Sequence, residues 1–152
     1  MQKFFEDYLS MMEERHTEIL KALDGLPAEA LDWVPGPDMN SISVLVLHTA
    51  GSERYWIGDV VAQESSNRDR DAEFKVKGVG ADVLKKRLDD NLVYVRKTLE
   101  KFTVQDLGEE RIAPRDGRKG TVGWGLLHAL EHMTLHLGQI QITRQLWEQK
   151  KL

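Results

Sequence analysis

The sequence of 152 residues predicts an all-α fold: a four-helix bundle made by a single domain over residues 1–152. Three observations predict it. Apolar residues recur at helical spacing through segments of roughly twenty residues. Polar, proline- or glycine-bearing stretches separate those segments. Neither a strand–helix alternation nor an internal repeat interrupts the pattern.

In the first segment, Phe4, Phe5, Tyr8, Leu9, Met12, Ile19, Leu20 and Leu23 predict an amphipathic helix over 3–24. Gly25 and Pro27 stop it. The run LPAEALDWVPGPDMN reads as a loop with a helical turn at 28–31. Asn40 or Ser41 can cap a second helix reaching about residue 64, whose first half, 42–50, is apolar on nearly every side and so should be surrounded by protein. Residues 65–79 lack period and form a connector. A third helix spans 81–102, with Val83, Leu84, Leu88, Leu92, Val95 and Leu99 as its inward stripe. A second long connection, 103–120, carries Pro114 and the turn-forming Arg115, Asp116 and Gly117. Thr121 caps the last helix, which runs through Trp147 or further. Extended pairing is expected only in the loops, around Trp33 and Ile112.

Charge and composition narrow the function. Lysine and arginine total 21 against 25 aspartates and glutamates, a net charge of −4. With the charges interspersed, no basic stripe exists to neutralise phosphates, which argues against a nucleic-acid partner. Cysteine is absent, so disulfides, a cysteine nucleophile and thiolate metal ligands are excluded, and a metal site must use nitrogen and oxygen. The N-terminal stretch carries acids where a signal peptide would be apolar. The longest apolar run, 44–47, falls far short of the ~18 residues a bilayer span requires. The expectation is a soluble cytoplasmic protein with a small-molecule substrate and no membrane partner.

The chemistry lies in five histidines: His16, His48, His128, His132 and His136. Three fall in the stretch HALEHMTLH of the last helix. Four residues turn an α-helix by about 400°, so imidazoles at i and i+4 project as neighbours and can grip one cation from adjacent turns. The HExxH protease motif is missing, because Ala129 and Met133 stand where its glutamate would be. His132 and His136 form half a site. His48 interrupts the apolar half of the second helix, where a buried imidazole costs free energy unless its nitrogens find partners, and it is the candidate third ligand. Three neutral imidazoles would leave positions open for water or substrate. Zinc and nickel suit such ligands best, with iron or manganese as further candidates. His128 reads as a structural neighbour, since the outer members of the triple lie about 12 Å apart along the axis.

His16, among Glu13, Glu14 and Arg15, reads as part of a solvated face. Glu13 and His16 form an ExxH pair, but a di-iron bundle needs two such pairs and two further glutamates, and only one pair is present. Tyr55, Trp56, Trp124 and Trp147 read as core. Gly123, Gly125 and Gly138 weaken the last helix, which predicts close approach by a neighbour or room near a site. Glu53, Glu131 and Gln139 are candidates for polar roles around the metal.

The segment from Ser41 to His48, followed by Glu53, Tyr55 and Trp56, resembles the second helix of the DinB/YfiT-like superfamily. His132, His136, Gly138, Gln139 and Ile140 match that family's H-x-x-x-H-x-G-Q-I signature, and PAEALDWVP after the first helix is more loosely similar. The likeness covers almost the whole chain in order and spacing. It implies up-down-down-up connectivity, a metal held by His48, His132 and His136, and a homodimer. Leu137 stands where the family usually carries a basic residue. Some members transfer or isomerise with a low-molecular-weight thiol such as bacillithiol, mycothiol or glutathione. The leading expectation is therefore metal-dependent thiol transfer to an electrophile. The alternatives are a metal-dependent hydrolase and a non-catalytic dimeric stress-response or binding protein with a structural metal.

Overall fold

Helix α1 (Lys3–Leu23) buries Phe5, Tyr8, Leu9, Met12, Ile19 and Leu23 of the predicted stripe, while Phe4 is exposed and Leu20 half-buried at its margins. It ends at Gly25, whose φ of +70° lies in the left-handed region that glycine enters without strain. The computed structural model describes residues 1–150. After a short helix α2 (Ala28–Asp32), α3 (Ile42–Arg54) begins at Ser41, whose Oγ accepts from the Val44 N–H at 3.3 Å. Nearly every residue of α3 is buried. The helix widens without a break into a π-helical segment, Tyr55–Ala62, which Gln63 closes with φ +58°.

The connector contains a helical turn the sequence did not announce, α4 (Arg70–Glu73). Helix α5 (Ala81–Leu99) buries Leu84, Leu88, Val95 and Leu99, but Val83 is exposed and Leu92 only half-buried. The inward face instead includes Asn91, whose amide donates to the Ala50 carbonyl at 2.6 Å. A 3-10 turn (Val104–Gly108) leads to a hairpin of β1 (Glu110–Ile112) and β2 (Lys119–Thr121), with Glu110 opposite Thr121. Ile112 thus pairs within its own connection. Trp33 packs against Trp147 instead, with ring centroids 5.6 Å apart. Closing a hairpin a few residues long costs less chain entropy than pairing segments far apart in sequence. Helix α6 (Val122–Lys150) starts on Thr121, whose Oγ1 accepts from the Trp124 N–H at 3.1 Å.

Contacts fix the topology. Tyr8 donates to the Leu126 carbonyl at 2.8 Å and Arg144 donates to the Lys21 carbonyl at 2.9 Å, so α1 and α6 run parallel. Asn91 meets Ala50 and Tyr94 lies under Arg54, so α3 and α5 also run parallel. Within each facing pair the order reverses: Glu13 meets Arg96, while Leu20 and Ala81 line one hollow. The bundle is up-down-down-up, and the consecutive parallel pair, α3 and α5, requires the long return connection of residues 63–80. Phe5, Met12, Ile42, Ile57, Leu88, Leu126, Met133 and Ile140 fill its centre. Gly125 admits the π segment against α6, because a Cβ there would lie 2.8 Å from Val61 Cγ2. No helix among the described residues is long and apolar enough to cross a membrane.

Candidate metal centre

Helix α3 crosses α6 antiparallel, which sets the turn carrying His48 opposite the turns carrying His132 and His136. His48 is buried and the other two are half-buried, so the group opens toward solvent on the α6 side. The Nε2 atoms of His48 and His136 each lie 3.2 Å from His132 Nε2. One ligand atom from each of the three residues lies within 4.8 Å of the others. Nitrogens each about 2.05 Å from a tetrahedral cation stand about 3.3 Å apart, so the two 3.2 Å separations match two edges of such a shell.

The outward ring nitrogens decide which lone pairs point inward. His136 Nδ1 donates to Gln139 Oε1 at 2.6 Å. His48 Nδ1 lies 3.0 Å from Glu73 Oε2 and 3.3 Å from Arg68 Nη2. The carboxylate is the nearer and is an acceptor only, so this nitrogen carries the proton. Both Nε2 atoms then present lone pairs to the centre, the arrangement seen in metal-bound histidines that donate their other N–H to a carboxylate or carbonyl. Burial pushes His132 down to about 3, helped by the charges of His136, His48, His128 and Arg68. Burial also lowers His136, against the Gln139 hydrogen bond, with His48 lowering it further. Neutral imidazoles are what a cation requires. Burial would raise the Glu73 carboxyl, but hydrogen bonds from Arg68 and His48 outweigh it and hold the group below its ordinary range.

The remaining candidates fall elsewhere. His128 stacks on Trp124 (4.8 Å, 9° between planes) and meets the edge of Trp56 at 4.5 Å. Its ring centroid is 6.2 Å from that of His132, so it walls the site and is not among the converging ligands. Trp56 is core, as expected, but Trp124 is 39% exposed and extends this wall, with Arg118 lying 5.8 Å from both indoles. Tyr55 is buried, and its hydroxyl accepts from the Arg115 N–H at 3.1 Å. Trp147 packs on Trp33, and Leu137 is buried in the core. Glu131 is exposed beside His128. Gln139 lies at the site, where its Oε1 accepts from His136 Nδ1. Glu53 does not: it is buried and accepts from His16 at 2.7 Å.

His16 therefore corrects the reading of a solvated face, since it is only 3% exposed. Although burial works against the charged ring, the hydrogen bond and charge of Glu53 raise its pKa. Glu73 and Arg68 were not foreseen at all. They sit in the aperiodic connector among other charged residues, and nothing in that pattern sets them apart.

A sequence model described as the DinB superfamily matches residues 11–140. No curated protein matches the chain. Among solved structures, a conserved protein from Enterococcus faecalis superposes with a TM-score of 0.80 at 16% identity, covering 96% of this chain and 98% of that one. YfiT from Bacillus subtilis, described as a probable metal-dependent hydrolase with an unusual four-helix bundle topology, gives 0.67 at 16% identity over 92% and 87%. A mycothiol-dependent maleylpyruvate isomerase gives 0.63 at 13% identity over 90% of this chain and 62% of that one. Identities this low show a shared fold alone. The family match, however, spans most of the sequence, including His48, His132 and His136, and the chain belongs to the DinB superfamily.

Proposed function

We propose that the chain is a cytoplasmic metal-dependent enzyme that holds one divalent cation on His48, His132 and His136 and transfers a low-molecular-weight thiol to an electrophilic small molecule. The observation that carries this reading is the convergence of three imidazole Nε2 atoms, with the outward nitrogens of His48 and His136 engaged by Glu73 and Gln139. A cation held by three neutral ligands keeps its full charge and lowers the pKa of a thiol bound beside it. Zinc or nickel suits the imidazoles best, while iron or manganese would serve the same role. The chain has no cysteine, so the sulfur comes from the co-substrate. The thiol proton leaves to solvent. Sulfur then bonds to the electrophilic carbon, and the leaving group departs with the electron pair of its own bond. Trp124 and His128, backed by the buried Trp56, offer a bed for the electrophile beside His132, and Arg118 offers a cation for a negative leaving group.

Two facts from the comparisons bear on the reaction. The isomerase that shares this fold is described as mycothiol-dependent, and YfiT as a probable hydrolase. Water in the same open position would support hydrolysis. Glu73 is poorly placed to serve as its base, because both of its oxygens are engaged by Arg68 and His48. The partner this reading expects is a second copy of the chain, and Leu127, Leu135 and Ile142, all exposed on α6 around Glu131, supply apolar surface for it. These three lie within an arc of about 80° at 100° per residue. Light scattering should report a dimer, and Leu135→Glu should yield a monomer.

The test of the reaction is turnover of an activated aryl halide by metal-loaded protein with a panel of thiols. The expected result is turnover that requires both metal and thiol and is lost in His132→Ala. Metal-dependent turnover of ester or amide substrates that ignores thiol would favour the hydrolase. A bound metal with no turnover of any kind would leave a structural site in a binding or stress-response protein.

A further inference from the structure

We infer that Glu73, gripped by Arg68 across Gly51, is a positioning residue that sets the His48 ring for the cation, an inference that rests on the metal reading above. The connector that carries both residues has little structure of its own: α4 is four residues long, capped by Asp69 Oδ1, which accepts from the Ala72 N–H at 3.0 Å. Yet it supplies the surroundings of the outward half of the His48 ring. Glu73 Oε2 faces Nδ1 at 3.0 Å, and the Phe74 ring lies 4.8 Å from the imidazole. Arg70 covers Phe74 at 4.8 Å.

The carboxylate is itself held in a fork. Arg68 Nε donates to Oε1 at 2.6 Å and Nη2 to Oε2 at 2.7 Å, a two-point grip that fixes the plane of the acceptor. Arg68 and Glu73 side chains are only 8% and 10% exposed, so this pair is far less screened than the surface ion pairs of the bundle. Gly51 makes the reach possible. It follows His48 by three positions on the same face of α3, and a Cβ there would overlap Glu73 Oε1, approach Cδ to 2.8 Å and lie 3.1 Å from Arg68 Nε. A glycine within a helix costs stability, and here it leaves the space that the Glu73 carboxylate occupies. A fixed Nδ1–H keeps the Nε2 lone pair aimed at the centre. Without the carboxylate, the ring is free to adopt the other tautomer or to accept from a nearby donor.

The variants to compare are Glu73→Ala, Glu73→Gln, Gly51→Ala and the double Gly51→Ala/Glu73→Ala, with His48→Ala as reference. Zinc affinity is read by competition with a chromophoric chelator at fixed pH, and the tautomer of His48 by ring-nitrogen NMR of the metal-free protein. Gly51→Ala improves helix propensity and displaces only the far end of a flexible side chain, so it keeps the fold while removing the contact. Losing an outer hydrogen-bond partner typically costs about 10–100-fold in metal affinity, and both Glu73→Ala and Gly51→Ala should fall in that range. The double variant should be no weaker than either single one, Glu73→Gln should recover part of the loss, and the Nδ1–H signature should disappear in the alanine variants. Unchanged zinc affinity in Glu73→Ala, with binding abolished in His48→Ala, overturns the positioning role and leaves the metal site standing. Zinc retained by His48→Ala overturns both.

Discussion

Burying an imidazole nitrogen costs free energy unless it finds a partner. His48, His132 and His136 turn toward a shared centre, whereas His16 turns to Glu53. The i, i+4 spacing and an imidazole interrupting an apolar helix made the first three legible. His16 was misread because charged neighbours at 13–15 outweighed its register, although it stands four residues after Met12 and three before Ile19, both buried. The pair is removed from solvent, so His16→Ala should cost about 3–5 kcal/mol in urea unfolding by stranding the Glu53 charge. Replacing both residues with apolar side chains of similar size should recover most of it. A stability change near zero in the single variant would show that the pair carries no charge. The His132 imidazole sets a pH dependence of the metal-free protein. Its pKa is about 3 when folded against 6.5 for the free side chain, so between those values the unfolded chain binds the extra proton. Stability is therefore full above pH 6.5 and falls as pH drops toward 3. Denaturant melts across that window should show the loss, with a shallower slope in His132→Gln.

At the scale of elements, glycine marks where α6 tolerates a neighbour and where it does not need to. Gly125 faces Val61 of the π segment, and a Cβ at Gly123 would lie 3.2 Å from the Leu107 carbonyl oxygen, whereas one at Gly138 would meet nothing within 4 Å. The sequence raised all three as positions of close approach or extra room, and only the antiparallel crossing decides between them. Gly125→Ala should lose about 1 kcal/mol net, since overpacking outweighs the gain in helix propensity. Gly138→Ala should gain about 0.5–1 kcal/mol in thermal melts. The caps at Ser41 and Thr121 were readable because their chemistry is local. The π segment and α4 were not. A π turn depends on packing against α6 and α5 rather than on composition, and α4 exists through Asp69 and the Arg68–Glu73 contact with α3.

For the whole molecule, the four long helices, their approximate limits and the class could be read from periodicity, because a bundle's apolar stripes record which faces meet. Which helices run parallel could not, since the two long connections permit several return paths, and the resemblance to the family supplied that order. The same topology brings residues 48 and 132, more than half the chain apart in sequence, to 3.2 Å. The central claim is that this convergence exists to hold a cation. Elemental analysis of purified protein, wild type beside His48→Ala, tests it most directly. The account predicts one divalent ion per chain in the wild type and none in the variant, with the fold retained in both. Wild-type protein that takes up no divalent ion when supplied with zinc or nickel, or a variant that keeps its ion, would contradict it.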